Sequence, residues 1–203
     1  MGMDDPYYSV APTMIVHRPV ALVGFMGAGV PLIGATLSAL TGLPFIDLDR
    51  HVEHDAGTSL ARLARERGVD VLAAHERRVL SRVIREQPPP IVALGHAVLA
   101  EEKTRRLLAG KVHLIYIRRP LPVLHRTLAR ELEQQGVGRY WPLAQWRPDR
   151  PEALAGLLGV HRPHYEAADH TVDASDAHPQ RVARAVLRYL EASSSGASTT
   201  AVP

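Results

Sequence analysis

VALVGFMGAGVPLIGATLSALTGLPFIDLD, residues 20–49, carries no charged side chain before Asp47, and its reading decides the fold. An apolar run of that length suggests a membrane span. Five glycines and two prolines interrupt it, however, and Asp47 and Asp49 close it. It divides better into strand, glycine-rich turn, helix and strand. VALVG (20–24) has the character of a strand buried on both faces. Gly24, Gly27 and Gly29 allow a tight turn with exposed amides. Pro31 suits the first turn of a helix, where its missing N–H costs little. Leu32, Ile33, Leu37 and Leu40 fall on helical spacing, and Gly42 is a stop signal. PFIDLD (44–49) reads as a second buried strand with two carboxylates at its C-terminal end.

Outward from that stretch the alternation continues. Residues 50–86 are helical in pattern, with breaks near Gly57 and Gly68, and the triple proline 88–90 ends them. IVALG (91–95), KVHLIYI (111–117) and HTVDAS (170–175) read as three more strands. Helices are expected over 100–110, 120–135, 151–168 and 178–192. Strands alternating with helices imply an α/β fold, a three-layer arrangement with a five-stranded parallel sheet covered on both faces. Ligands of such sheets bind at the carboxyl ends of the strands, which is where Gly24–Gly29, Asp47–Asp49 and Gly95–His96 should meet.

The domain spans 19–192. Residues 1–18 read as a flexible leader, and 193–203 have the composition of a disordered tail. Residues 136–150, GVGRYWPLAQWRPDR, hold both tryptophans, and an irregular interior segment of this length is functional or mobile. At 203 residues, 46% of them hydrophobic and 22% charged, the chain has the make-up of one globular domain. Its net charge is only +3, and acids and bases are interleaved, so no nucleic-acid footprint emerges. Without cysteine there is no disulfide, thiolate chemistry or Cys-based zinc site. The N-terminus lacks the pattern of a secretory signal, and Pro6 stands where a myristoylation signal needs Ser or Thr. The expected protein is cytoplasmic, off the membrane, and a monomer or weak homodimer that binds a small molecule.

The loop poses the functional question. A phosphate-binding loop needs G-x-x-x-x-G-K-[ST] between strand and helix. Gly24 and Gly29 have that spacing, but the lysine position holds Val30 and the hydroxyl position Pro31. The lysine normally bridges the β- and γ-phosphates and the hydroxyl helps hold Mg²⁺. The chain has two lysines, Lys103 and Lys111, both in later elements. Gly24, Gly27 and Gly29 are therefore a vestigial nucleotide site, with the backbone half of the device alone.

Taken together, VALVGFMGAG, FIDLD followed by His51-Val52-Glu53, the segment from Gly57 to Glu76, ALGHAVL, RPHYEAAD and TVDAS leading to Pro179 and Val182 resemble the shikimate kinase family. The resemblance runs from about Val20 to Leu190. It implies a P-loop fold like the nucleoside-monophosphate kinases, with a lid at about 136–150. It also implies transfer of the γ-phosphate of ATP to a ring hydroxyl of shikimate with Mg²⁺. By resemblance Asp47 supports the metal and Asp49 contacts the substrate hydroxyl. The two arginines that grip the shikimate carboxylate fall on Ala73 and His161, with Arg162 adjacent. The glycine triplet reads Gly95-His96-Ala97. The lid arginine falls on Trp141, with Arg139 nearby.

The substitutions touch nucleotide site, lid and substrate site together, while the scaffold positions look intact. The expectation is accordingly a diverged, pseudokinase-like member that has lost ATP-dependent phosphotransfer. Its old pocket would serve a small cyclic or hydroxy-acid ligand, with elimination or isomerisation in specialised metabolism as conceivable chemistry. Asp49, His96 and His161 are the candidate catalytic residues, since histidine titrates near neutrality. Asp49, Gly95, His96, Arg162 and Arg139 are the candidate substrate contacts, and Asp47 the candidate metal ligand. Two alternatives stand beside this: a true shikimate kinase with an unusual phosphate clamp, needing ATP and Mg²⁺, or a non-catalytic regulatory partner. Outside the kinase alternative no cofactor is expected.

Overall fold

The computed structural model describes residues 14–135, 151–175 and 178–197. Strands β1 (Val20–Val23), β2 (Phe45–Asp47), β3 (Ile91–Ala93), β4 (His113–Arg118) and β5 (His170–Asp173) form one sheet in the order β2-β3-β1-β4-β5. Every pairing is parallel, with Val20 opposite both Ile91 and His113. β1 and β3 are buried along their whole length, which is why VALV and IVA carry no alternation. The membrane-like run is thus a central strand and the helix that follows it. Among the described residues no helix is long and apolar enough to cross a membrane.

Helix α1 (Val30–Thr41) begins at Gly29 and ends at Gly42, both left-handed at φ 77° and 71°. Pro31 sits in its first turn, as the sequence suggests. Gly34 faces β2 so closely that a Cβ there would lie 2.4 Å from the Phe45 ring. Helices α2 (Leu48–Ala56), α3 (Leu60–Arg67) and α4 (Val69–Val83) replace the long helical region and break at Gly57 and Gly68. Asp55 accepts from His75, Arg78 and Arg82, tying α2 to α4 on the surface. The Arg82 guanidinium is the strongest of these in holding the Asp55 carboxyl at about 2.

A 3-10 turn at Val98–Ala100 precedes α5 (Glu102–Leu108). α6 (Leu121–Gln135), α7 (Pro151–Glu166) and α8 (Pro179–Ala197) complete the chain. Two boundaries differ from expectation. β2 stops at Asp47, because that side chain caps α2 by accepting from the Arg50 amide at 3.4 Å, so Asp49 lies in a helical turn rather than on a strand. α8 continues five residues into the supposed tail. Ser193 and Ser194 return their hydroxyls to the carbonyls of Tyr189 and Leu190, so the serines there are compatible with helix. Residues 136–150, expected from the sequence as a lid and holding Arg139, Tyr140, Trp141 and Trp146, lie outside the described residues.

Candidate functional site

The three strand ends meet as the α/β rule requires. A cleft of about 970 Å³ is lined by the loop Gly24–Gly29, by Asp47 and Asp49, and by Gly95 and His96. α4 supplies its far wall through Asp70, Ala73, Glu76 and Arg77, three and four residues apart and therefore on one face. Helix α5 contributes the exposed Lys103.

The loop keeps its shape without its chemistry. The Ala28 amide donates to the Phe25 carbonyl at 2.9 Å, and Gly27 and Gly29 take the positive φ values that make the turn. Val30 is buried, and a Cβ on Gly24 would come within 2.9 Å of its Cγ2. The position that would project a lysine thus carries a small apolar side chain at the edge of the cleft. Arg119, at the end of β4, donates to the Gly27 carbonyl at 2.6 Å and holds the loop from behind. Beside it lies a second cavity of about 230 Å³, lined by Gly29, Leu32, Arg119, Pro179 and Val182 among others.

Asp49 sits against Gly95: a Cβ on that glycine would lie 2.4 Å from Asp49 Oδ1. Asp47, with its side chain 13% exposed, pairs with Arg50 at 3.5 Å. Among the described residues no three His, Asp or Glu side chains converge as a metal site. Asp47 lies at the edge of the cleft, where it caps α2 and pairs with Arg50.

The two candidate histidines are adjacent but not equivalent. His96 meets the Phe25 ring edge-on at 6.3 Å and His161 at 5.7 Å. His161 is 7% exposed, stacked on Tyr165, and does not line the cleft. Tyr165 donates its hydroxyl to the His96 carbonyl at 2.6 Å. Among the described residues neither His96 Nε2 nor His161 Nδ1 has a hydrogen-bond partner. Burial above all, and then the neighbouring His161, push the His96 imidazole down to about 3, so it is neutral at pH 7. Burial lowers His161 as well, with His164 contributing. The near-neutral titration expected of His96 is lost because its ring is packed against Phe25 and His161, and burial moves His161 in the same direction. Arg162 is exposed on α7 and does not line the cleft.

Sequence reasoning missed Glu76. It is 8% exposed, lines the cleft, and is pushed up to about 8 by burial first, then by Asp49 and Glu101. The available signal was a charged residue on the apolar spacing Leu72, Glu76, Val79, Val83 of α4. The linkage is specific in sign. Above pH 4.5 an unfolded Glu76 releases its proton while the folded one keeps it to about 8, so stability falls as pH rises through that window. His96 acts oppositely, losing stability as pH falls below 6.5 towards 3. Glu76→Gln should match the wild type near pH 4 and exceed it by on the order of 3 kcal/mol at pH 8–9. Urea unfolding across that range checks this, since the His96 contribution cancels in the difference. Parallel curves would mean that Glu76 is already ionised in the fold.

A shikimate kinase family model matches residues 26–191. A shikimate kinase of Paramagnetospirillum magneticum is 30% identical over 197 residues, covering 94% of this chain and 96% of its own. One from Rhizobium leguminosarum bv. trifolii is 27% identical, covering 93% and 95%. Among solved structures, shikimate kinase from Acinetobacter baumannii in complex with shikimate superposes with a TM-score of 0.75 at 24% identity, over 89% of this chain and 96% of that one. The Aquifex aeolicus enzyme gives 0.68 at 24% identity, over 88% and 99%. At that level of identity the two superpositions speak to the fold.

Proposed function

The chain belongs to the shikimate kinase family, and from that premise we propose that it transfers the γ-phosphate of ATP to a hydroxyl of a small shikimate-like ring. The observation that carries this reading is Asp49 seated against Gly95, across one cleft from a glycine turn that keeps its positive φ at Gly27 and Gly29. Asp49 would accept the proton of the attacking ring hydroxyl. The amides of the Gly24–Gly29 turn and the first turn of α1 would hold the phosphates. The smaller recess, lined by Arg119, Thr127, Pro179 and Val182, would take the base of the nucleotide. Mg²⁺ arriving with the nucleotide would neutralise phosphate charge, and Asp47 is the carboxylate placed to steady it. A cytoplasmic location fits an ATP-consuming reaction.

The kinase alternative of the sequence reading is thus preferred over lost phosphotransfer, since the relatives reported above all carry the name shikimate kinase. The missing lysine sets the expected rate. One preorganised charge contact contributes roughly 10²–10³ in kcat, so turnover should be slow by at least that factor. Incubation with ATP-Mg²⁺ and shikimate at high protein concentration, followed by ³¹P NMR, should reveal a phosphomonoester. A specific observation favours a second reading, a pocket that binds without phosphorylating: Val30 fills the lysine position and Pro31 removes an amide from the nest. Tight nucleotide binding with no product over days would move the balance to it.

A further inference from the structure

The proposed transfer uses Asp49 and the glycine turn and leaves His96 without a task. His96 follows Gly95 directly, next to the place where Asp49 is seated, and it lines the same cleft. Its imidazole is held on several sides. Phe25 of the loop meets it edge-on at 6.3 Å and 82°, and His161 of α7 at 5.7 Å and 75°. The Tyr165 hydroxyl fixes its backbone by donating to the carbonyl at 2.6 Å. The residue nonetheless keeps part of its surface open. Nε2 has no share in that opening: it is sealed from solvent and unpartnered among the described residues. Nδ1 also makes no hydrogen bond among them but is not sealed, and the open side of the residue is the cleft. Burial keeps the ring neutral, so one nitrogen carries a proton and the other a bare lone pair. An N–H buried among aromatic rings meets their negative faces, whereas a lone pair there is repelled by them. The proton therefore belongs on Nε2, and Nδ1 offers its lone pair to the cleft.

We infer that His96 is a specificity-determining residue of this cleft, its Nδ1 accepting a hydrogen bond from a ring hydroxyl other than the one that attacks. The inference rests on the kinase reading for the ring and adds a second contact to it. Asp49 sits against Gly95 and His96 is the next residue, so neighbouring hydroxyls of one small ring can meet one each. A bare acceptor selects a donor. A hydroxyl satisfies it, while a ketone or a missing oxygen leaves it unpaired. Because Phe25 and His161 wedge the imidazole in place, little side-chain freedom is lost when the ring arrives.

Shikimate, its mono-deoxy analogues and the matching ring ketones test this, by calorimetry on the whole protein at pH 7 without nucleotide. For one hydroxyl, removal and oxidation to the ketone should each weaken binding about tenfold, in a manner that depends on His96. His96→Phe keeps a ring and removes the nitrogen. It should bind shikimate about tenfold more weakly and no longer distinguish that hydroxyl from its analogues, while discrimination at the hydroxyl met by Asp49 persists. His96→Asn, whose amide oxygen can stand where Nδ1 stands, should keep most of the discrimination, which a role in packing alone would not give. It also serves if the phenylalanine variant folds poorly. Three results overturn the inference: a ketone bound as tightly as each hydroxyl, an unchanged pattern in His96→Phe, or shikimate failing to bind the wild type. ³¹P NMR after addition of ATP-Mg²⁺ reads the transfer separately. Phosphorylated shikimate with a pattern indifferent to His96 removes the His96 contact alone, while a His96-dependent pattern without product removes the transfer alone.

Discussion

Replacing Val30 by lysine and Pro31 by serine together should raise the rate of phosphoryl transfer roughly 10²–10³-fold. Nucleotide affinity should also tighten at least about tenfold. The loop is otherwise ready for the change. Gly27 and Gly29 hold their positive φ values, Arg119 fixes the Gly27 carbonyl, and Ile33 donates to Gly29 at 3.0 Å to start the helix. Val30 lines the cleft, so the aliphatic stem of a lysine can follow the valine carbons and deliver its ammonium to the phosphates. Serine returns the amide that Pro31 lacks and adds a hydroxyl of the kind that would help hold a nucleotide-borne cation. Val30→Lys alone should account for most of the gain, because a proline in the first turn costs the helix little. Initial rates with the best-bound ring and ATP-Mg²⁺ measure it. A double variant that binds ATP more tightly yet transfers no faster would place the natural chemistry outside phosphoryl transfer.

This test separates what the stretch 20–49 decides from what it leaves open. The strand, turn and helix were legible there because apolar runs, glycines at turn positions and a first-turn proline are local signals. The five parallel strands followed from repetition of the same unit. The order β2-β3-β1-β4-β5 was not legible, since nothing local to β3 says that it slips between β1 and β2. The sequence reads Asp49 as a strand end, whereas the structure has it in the first turn of α2, at the cleft. Its neighbour Asp47 turns the chain into helix by capping, and a cap beside an apolar run looks like a strand end.

Long-range burial explains the remaining differences. His96 reads from the sequence as a group that titrates near neutrality, but its packing against Phe25 and His161 removes that property. Glu76 reads as one of many helical charges, yet α2 and the turn before α5 close over it. Arg119 reaches the loop across 92 residues of sequence, and periodicity carries no trace of such a contact. The site was thus legible as a location, while its ionisation states were fixed by tertiary contacts.

Gly95→Ala carries the same reasoning to a single methyl group. Its Cβ would lie 2.4 Å from Asp49 Oδ1, too close for any real contact, and 3.3 Å from Cγ. Gly95 has no positive φ, so alanine meets no backbone strain. The clash is with the far end of a side chain, which can rotate away, so the stability loss should stay within about 1 kcal/mol. What rotates is the carboxylate proposed to accept the proton of the ring hydroxyl. Helix α2 cannot follow it, because Leu48 and Val52 are fully buried on either side. A displacement of about 1 Å at a reacting group typically costs on the order of 10² in rate, and that is the expected fall in kcat. A double-mutant cycle identifies the route: in an Asp49→Asn background Gly95→Ala should cost little more, since the group it displaces has already lost its basicity. If the two losses multiply instead, Gly95 is small for the ligand's sake, and the ring itself lies against its backbone.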